Sequence, residues 1–577
     1  MIRRQKIALA LLLPVTLALV TMLAAALARP VPAVPISSTP PQFDAANALA
    51  DTVQLATDYP DRVVGSPTNA RARQWLIARF TELGLPAATL PFSVTVASEA
   101  RPGVQVWAAS PGESGAIVLV TAHYDVPQTG IPGAADDASG VGVMLELARV
   151  FAEEPHRRTF LFMASDSEEY GHFWGAKNFA EQFQRRDRIV AVLDLDYLSA
   201  RELKRINVGG VGLRRGYAPL WLRQAGLGAV EAAGVPAYEA DGLLEFFFRA
   251  VPIGAADYAA YLRAGIPALN FGGEPHDAAS WSAEYHTPLD TPDKLWYSAF
   301  DAYGRAAEIW LRTVDAYDPP ASAPASDFRL SRTHYLPGWA VRLLQLLVFA
   351  PLFLTTAIVW RGQRPSWDEM RPEFLTLFGL TITGLDGYAA AYILVNLGLL
   401  PRYEMFPASP GDPFLLQPVW WAALVIYGTI VVFGWITFRP FRGWGSLADA
   451  LEIPYRRAAL LVAFSAFVIF FWQINGYSVA ALLGAAGYTW PWIEPRASLR
   501  GKLLNTALAL AGALPFLLGT SYFASQFPIG PWWWYLTLGA AYGLFPLLTV
   551  IAFVFGAALL LRFLRLGLRN GSRRAGL

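Results

Sequence analysis

Two hydrophobic rhythms divide the chain. Between residues 44 and 315, short apolar runs alternate with longer stretches in which apolar and polar positions recur at helical spacing. Residues 104–109 and 117–122 read as strands and 141–153 as a helix. A strand at 159–165, a helix at 174–184 and a strand at 189–195 follow. Further on, 257–264 reads as helix and Pro267–Phe271 as strand. Two helical patterns in 44–99 flank the sequence Arg62-Val63-Val64-Gly65-Ser66-Pro67. Such alternation predicts an α/β domain, a mostly parallel central sheet with helices on both faces.

Beyond residue 338 the rhythm changes. Apolar segments lie near 338–360, 374–400, 415–437, 458–474, 476–490, 503–525 and 533–564, the last interrupted by Pro546. They predict an all-α polytopic membrane domain over 334–577. The 476–490 segment is short for a span. Arg and Lys gather in 361–373, 438–457, 491–502 and from Arg562 onward. Placing all four on the cytosolic side requires an odd number of crossings, and seven satisfies it. At the other end, Arg3, Arg4 and Lys6 precede an apolar run from Ile7 to Ala28. Its length favours an uncleaved anchor over a signal peptide cleaved after Ala26-Leu27-Ala28. Residues 29–43 are Pro-rich and read as a linker, as does 316–333. The α/β domain at 44–315 is therefore expected outside the cytosol.

Composition agrees. The 577 residues are 54 % hydrophobic and 16 % charged with 20 Trp, too apolar for a wholly soluble protein. A net charge of +1 gives no support for a nucleic-acid partner. The absence of Cys excludes disulfides, thiolate metal sites and cysteine nucleophiles.

Chemistry gathers where strands end. The run Ile117–Val120 leads to His123 and Asp125, and a Pro- and Gly-containing loop then delivers Asp136 and Asp137 ahead of the next helix. The strand 159–165 runs into Asp166-Ser167-Glu168-Glu169, and 189–195 into Asp196. The strand near Ala268 leads through a loop to Tyr285-His286-Thr287-Pro288-Leu289-Asp290. His123, Asp136, Glu168, Glu169, Asp196 and His286 are thus expected along one edge of a parallel sheet, where open α/β folds bind ligands. Two imidazoles with several carboxylates suit zinc or a similar divalent ion, and a bridging carboxylate leaves donors enough for two. Of two adjacent glutamates, one can ligate while the other accepts a proton from an attacking water.

The segments AHYD at 122–125, GAADDASG at 133–140, SEEYG at 167–171, LDLDY at 193–197 and YHTPLDTPDKL at 285–295 resemble the five motifs of the di-zinc aminopeptidase family that includes bacterial leucyl aminopeptidase and aminopeptidase Y. The Asp-Tyr at 257 and Gly-Ile-Pro-Ala at 265–268 extend the likeness over about 45–315. The arrangement of N-terminal span, this domain and a polytopic half is similar to endoplasmic reticulum metallopeptidases and their bacterial relatives. The resemblance implies two zinc ions per chain. Asp136 would bridge them, His123 and Asp196 would complete one site, and Glu169 and His286 the other. It implies Glu168 as general base, and Asp125, with Asp290, as carboxylates behind the ligands, Asp125 orienting the His123 ring. Tyr285 would donate a hydrogen bond to the developing oxyanion. Asp194 stands where many relatives carry Asn, which leaves two candidates, and the motif alignment prefers Asp196. Ala135 stands at an often polar position.

The implied activity is that of a membrane-bound exopeptidase, an aminopeptidase acting on peptides. A carboxypeptidase or glutaminyl cyclase on the same site is the alternative, as is a non-catalytic peptide-binding membrane protein. The retained Glu168 favours an enzyme. Few Lys with abundant Ala and Arg point to a bacterial inner membrane with a periplasmic peptidase domain, and the endoplasmic reticulum with a lumenal domain is the other candidate. Partners are then a peptide substrate and membrane lipid, with room for a homo-oligomer. Of the remaining histidines, His156 is expected to be solvated, His172 and His276 to lie in loops near the site, and His334 in the linker. Asp386, between Gly384 and Gly387, is read as a polar packing contact rather than a proton path. Trp490, Trp492 and Trp532-Trp533-Trp534 are read as interfacial belts.

Overall fold

The computed structural model describes residues 3–96, 99–169, 173–198, 201–252, 254–276, 283–319, 325–400, 420–450, 453–526 and 547–569. Among them the chain forms two compact units, one spanning Arg29–Gly338 and one holding the N-terminal helix and the helices after Trp339.

After α1 (Arg3–Leu27) the first unit begins with β1 (Arg29–Pro30), α2 (Ala45–Asp58) and α3 (Pro67–Glu82). Asp44 caps α2 by accepting from the Ala46 N–H, and Ser66 caps α3 by accepting from the Asn69 N–H, with Pro67 at the first helical position. Then come β2 (Ala87–Val96), β3 (Glu99–Ser110), β4 (Ser114–His123), α4 (Ser139–Glu153), β5 (Arg158–Ser165), α5 (Trp174–Gln182) and β6 (Ile189–Leu195). The unit continues with β7 (Leu203–Gly209), α6 (Leu220–Ala232), β8 (Ala237–Tyr238), α7 (Gly242–Ala250), α8 (Tyr258–Arg263), β9 (Ala268–Pro275) and α9 (Tyr297–Ala316). Two short strands, β10 (Phe328–Arg329) and β11 (His334–Leu336), close it.

Eight of these strands make one sheet in the order β2-β3-β5-β4-β6-β9-β7-β8. Its centre, β5-β4-β6-β9, is parallel, whereas β2-β3, β3-β5 and β7-β9 are antiparallel. The expected mostly parallel sheet is therefore mixed at both flanks. Side-chain alternation along β4 explains the layers. Val118 and Val120 join the core beneath α2, α4, α6 and α9, while Ile117 and Leu119 join the core beneath α5 and α8. The stretch 29–43 packs on this unit. Val34 and Phe43 are buried, the Ser37 N–H donates to Thr313 Oγ1, and the Gln42 and Phe43 N–H groups donate to Glu308. β1, β11 and β10 form a second small sheet, Arg29 opposite Tyr335 and Pro30 opposite His334.

The second unit is helical among the described residues. Five helices are long and apolar enough to cross a membrane, or six if Gly338–Val348 and Ala350–Gln363, bent by 47°, count as one span. The expected segments 458–474 and 476–490 fall in one helical run, Ile453–Thr489, broken at Asn475 (φ −150°, ψ 97°). Asn475 Oδ1 accepts from the N–H groups of Tyr477 and Ser478 and so starts a new helix. At 1.5 Å per residue the piece before the break measures about 33 Å and the piece after it about 21 Å, so only the first matches a bilayer core. The N-terminal part of the 533–564 segment, Pro546 and Trp532–Trp534 lie outside the described residues. Asp386 Oδ2 accepts from the Thr437 hydroxyl at 2.9 Å, a contact between helices Trp367–Asn396 and Trp420–Phe438 of the packing kind. Two arginines counted with the basic loops are instead buried. Arg562 grips Glu373 through two bonds of 2.5 and 2.7 Å, and Arg456 lies 3.4 Å from Glu373 and 3.2 Å from Asp449.

Candidate metal centre

Strand register brings the site together. His123 is level with Ser165 across β4 and β5, and Thr121 faces Asp194 across β4 and β6, which sets His123 level with Asp196. Each strand end then turns sharply. Ser167, Tyr197 and His286 all have positive φ (67°, 55° and 55°), a backbone state that costs a non-glycine residue energy and clusters at functional sites. The loop after β4 reaches the same edge through the tight turn 134–138 that opens α4. Gly140 is required there, since a Cβ would sit 2.2 Å from the Leu195 carbonyl oxygen. Thus the apolar strands fix positions, and the turns aim polar side chains.

Five of the expected ligands converge. His123 Nε2 lies 3.1 Å from Asp136 Oδ1 and 3.7 Å from Asp196 Oδ1. His286 Nε2 lies 3.1 Å from Asp136 Oδ2 and 3.0 Å from Glu169 Oε2. The two oxygens of Asp136 therefore face different imidazoles, as a bridging carboxylate must. Tetrahedral donors at zinc distances stand about 3.4 Å apart, close to these separations. Asp136 Oδ2 and both Glu169 oxygens are buried and accept no hydrogen bond, although buried oxygens of this kind are normally satisfied. The donor set fits divalent cations. Glu168 is buried beside the cluster but belongs to neither compact group of ligand atoms, His123–Asp136–Glu169 or His123–Asp137–Asp196.

The electrostatics point the same way. Burial alone would lower the two imidazoles, but Asp125, Asp136 and Asp196 around His123, and Glu169 and Asp136 around His286, outweigh it and raise both well above the usual range. Burial pushes Glu169 up to about 7 and Glu168 well above the carboxylate range, while the imidazoles hold Asp136 below it. So many carboxyl groups in one buried volume are costly unless cations compensate them.

Asp137 does a different job from its neighbour. Its oxygens accept from the N–H groups of His123 (3.2 Å), Gly140 (3.0 Å) and Tyr197 (3.3 Å), tying β4, α4 and the β6 end together. Three main-chain donors thus engage both oxygens of Asp137, whereas Asp136 turns its two oxygens to the imidazoles. Asp125 accepts from the N–H groups of Glu168 and Glu169, and its Oδ1 is 3.7 Å from His123 Nδ1, which lies nearer the Asp125 main-chain oxygen at 3.2 Å. The structure thus links Asp125 mainly to the glutamate loop. Asp290 accepts from the N–H groups of Ala135 (2.7 Å) and Asp136 (3.1 Å), fixing the backbone of the bridging position. Tyr285 stacks on the His286 ring at 3.8 Å and meets Tyr197 edge-on. Asp194 points elsewhere, accepting from the Tyr258 N–H.

Several supports escaped sequence reading. Arg62 is fully buried and donates to the carbonyl oxygens of Pro132 and Gly133, with Asp290, Asp125, Asp137 and Asp136 all within electrostatic reach. Gly133 (φ 58°) leaves space for this guanidinium, whose Nη2 would lie 2.9 Å from an added Cβ. Asp166 is held by the Asn69 side chain, the Val104 N–H and the Tyr124 hydroxyl. A lone Arg in a loop or a lone Asn in the first turn of a helix carries no pattern. Among the histidines, His156 is buried rather than solvated, stacked on Phe160 with Nε2 2.8 Å from Ser110 Oγ. His276 and His334 are exposed, and His172 lies outside the described residues.

The profile of Peptidase family M28 matches residues 105–311. This region is an M28 peptidase domain. Aminopeptidase YwaD of Bacillus subtilis is 31 % identical over 187 residues, covering 31 % of this chain and 37 % of that protein. A "Probable zinc metalloprotease" of Pyrenophora tritici-repentis is 41 % identical over 86 residues, covering 14 % and 20 %. The chain thus spans well under half the length of these relatives. The solved zinc aminopeptidase BSAP of Bacillus subtilis aligns with TM-score 0.40 and 15 % identity, over 49 % of this chain and 98 % of its own. The glutaminyl cyclase of Fimbriiglobus ruber aligns with TM-score 0.41 and 21 % identity, over 48 % and 98 %. All five convergent ligand positions, Glu168 and Asp290 fall inside the M28 domain; Arg62 lies before the matched segment.

Proposed function

We propose that the chain is a membrane-bound di-zinc exopeptidase that removes N-terminal residues from peptides. The observation that carries this reading is the pair of imidazoles held on opposite oxygens of one buried carboxylate, Asp136, with Glu168 beside them and outside the ligand groups. His123, Asp136 and Asp196 would hold one zinc ion, and His286, Asp136 and Glu169 the other. Bound zinc supplies Lewis acidity, polarising the scissile carbonyl and acidifying the attacking water. Glu168 accepts the proton of that water as it attacks and delivers it to the leaving amine, a task suited to a carboxyl whose proton affinity burial raises. Tyr285, steadied against the His286 ring, donates to the oxyanion that forms. Asp125 and Asp290 keep the glutamate loop and the bridging carboxylate in register.

The apolar helices would anchor this domain outside the cytosol, in a bacterial inner membrane with the peptidase unit periplasmic. The basic residues around α1 and between the later helices support that orientation. The experiment is a peptide panel with free, blocked and Gln N-termini, incubated with purified full-length protein with and without chelator. Chelator-sensitive release of single N-terminal residues supports the proposal. Ring closure of N-terminal Gln with loss of ammonia and no released residue overturns it in favour of a cyclase, and C-terminal release in favour of a carboxypeptidase.

A further inference from the structure

The M28 domain carries a helix with an exposed apolar side, one that no described residue covers. In α7, Leu243 (71 % exposed), Phe247 (43 %), Phe248 (39 %) and the following Val251 (41 %) share one face at helical spacing. The opposite face holds Glu245 and Arg249, both buried. A nine-residue helix showing this much apolar area on its outer side is a contact surface in search of a partner.

What it is bolted to identifies the partner. The Arg329 N–H donates to Glu245 Oε2, and Arg249 donates to the main-chain oxygens of Ala325 (3.0 Å) and Asp327 (2.6 Å). Arg223 of α6 completes the anchorage at 2.9 Å from Glu245. So α7 is tied to the small sheet of β1, β11 and β10 through hydrogen bonds between buried Glu245 and Arg249 and the main chain at and just before β10. That sheet is where the chain leaves for both apolar regions. One residue separates β1 from α1, and one separates β11 from the helix beginning at Gly338. Two Cα steps reach roughly 7 Å, so the sheet sits at the foot of both connections. Exposed Arg29 on β1 adds a positive charge suited to anionic headgroups.

We propose that the exposed face of α7 inserts into the interfacial layer of the lipid bilayer, as a docking foot that fixes the peptidase domain against the membrane. The proposal rests on the reading that the apolar helices span a membrane. Bulky apolar helix faces of this kind bury in the headgroup–acyl boundary, and here the domain itself takes the place of water behind the opposite face. Docking would add a third attachment to the two covalent ones and limit rotation of the domain about them.

The absence of Cys makes the test clean. Full-length protein with a single Cys at Leu243, Phe247, Gln182 or Leu424 is labelled with an environment-sensitive fluorophore. It is then reconstituted into vesicles of phosphatidylcholine and phosphatidylglycerol. Leu424 lies outward on helix Trp420–Phe438 and reports on the membrane reading, and Gln182, exposed on α5, reports on water. Expected is several-fold stronger quenching by shallow spin-labelled lipid at 243, 247 and 424 than at 182, with aqueous iodide giving the reverse order. Leu243→Glu with Phe248→Glu is expected to bring lipid quenching at 247 down to the level of 182. Lipid quenching at 424 without quenching at 243 and 247 overturns the docking foot alone. No lipid quenching at 424 overturns the membrane reading and the foot with it. Labels at 243 and 247 shielded from both quenchers mean that protein covers the face, which also overturns it.

Discussion

Replacing Asp290 by Asn changes one terminal group and is expected to loosen the metal centre about 10- to 100-fold. Both carboxylate oxygens of Asp290 are used, one by the Ala135 N–H at 2.7 Å and one by the Asp136 N–H at 3.1 Å. Asn keeps a single acceptor. Whichever N–H it serves, its amide group turns hydrogens toward the other. Losing one hydrogen bond to a charged acceptor costs about 1.5–3 kcal/mol. The lost bond holds the backbone of the residue that faces both imidazoles, so its cost falls on ligand geometry. At about 1.4 kcal/mol per tenfold, that becomes the stated drop in affinity, matching what outer partners of metal ligands contribute elsewhere. The neighbouring Arg62 keeps Asp125 and Asp137 as counter-charges, so the fold should survive. Competition with a chromogenic chelator measures zinc affinity on the full-length protein, and circular dichroism checks the fold. An affinity within twofold of the parent, with the fold intact, would refute the argument that Asp290 positions the bridging carboxylate.

Three further outcomes are expected. Glu168→Gln should leave zinc content and KM near normal and lower kcat by about 10²–10⁴, whereas Glu169→Gln should lose metal; the opposite pattern would show the motif register to be wrong by one residue. Arg62→Met leaves the buried carbonyl groups of Pro132 and Gly133 without a donor and several carboxylates without their counter-charge. It should cost about 3–5 kcal/mol of domain stability, read by pulse proteolysis, and an unchanged unfolding midpoint would remove Arg62 from the support of the site. Single cysteines replacing Pro365, Gly445 and Asn570 should react only with reagent admitted to the cytosolic side, which requires the short piece after Asn475 to cross as well; labelling of position 570 from outside would show that it does not and would sink the seven-crossing count.

The legible parts of the fold were those with a strong, uniform rhythm. Buried parallel strands read as unbroken apolar runs, so β4, β5 and β6 stand out as Ile117–Val120, Thr159–Ser165 and Ile189–Leu195, and each hands its last residues to the site. β2 was not legible. As an edge strand paired only with β3, it mixes Pro91, Ser93 and Thr95 with apolar residues and loses its period. Residues 201–256 resisted for another reason. The run Leu243-Leu244-Glu245-Phe246-Phe247-Phe248 is too apolar for a solvent-facing helix and carries bulky aromatics suited to strands, yet it folds as α7 because Glu245 and Arg249 pair beneath it. The site's charged residues were visible as clusters at strand ends. Its supports were not, because Arg62 and Asn69 act through distant partners that only the folded chain brings near.

The pairing of β1 with β11 sets a schedule for biosynthesis. Arg29 and Pro30 emerge from the ribosome directly behind α1, but their partners Tyr335 and His334 arrive only when nearly the whole first unit has been made. At synthesis rates of roughly 5–20 residues per second, the first strand waits on the order of 15–60 s for its complement. Meanwhile the peptidase core can close around β4, β5, β6 and β9, all of which precede residue 276. The little sheet is therefore the last seam sewn. It shuts only after the segment leading into the second hydrophobic region has been translated, so completion of the first unit is timed by synthesis of the chain that follows it.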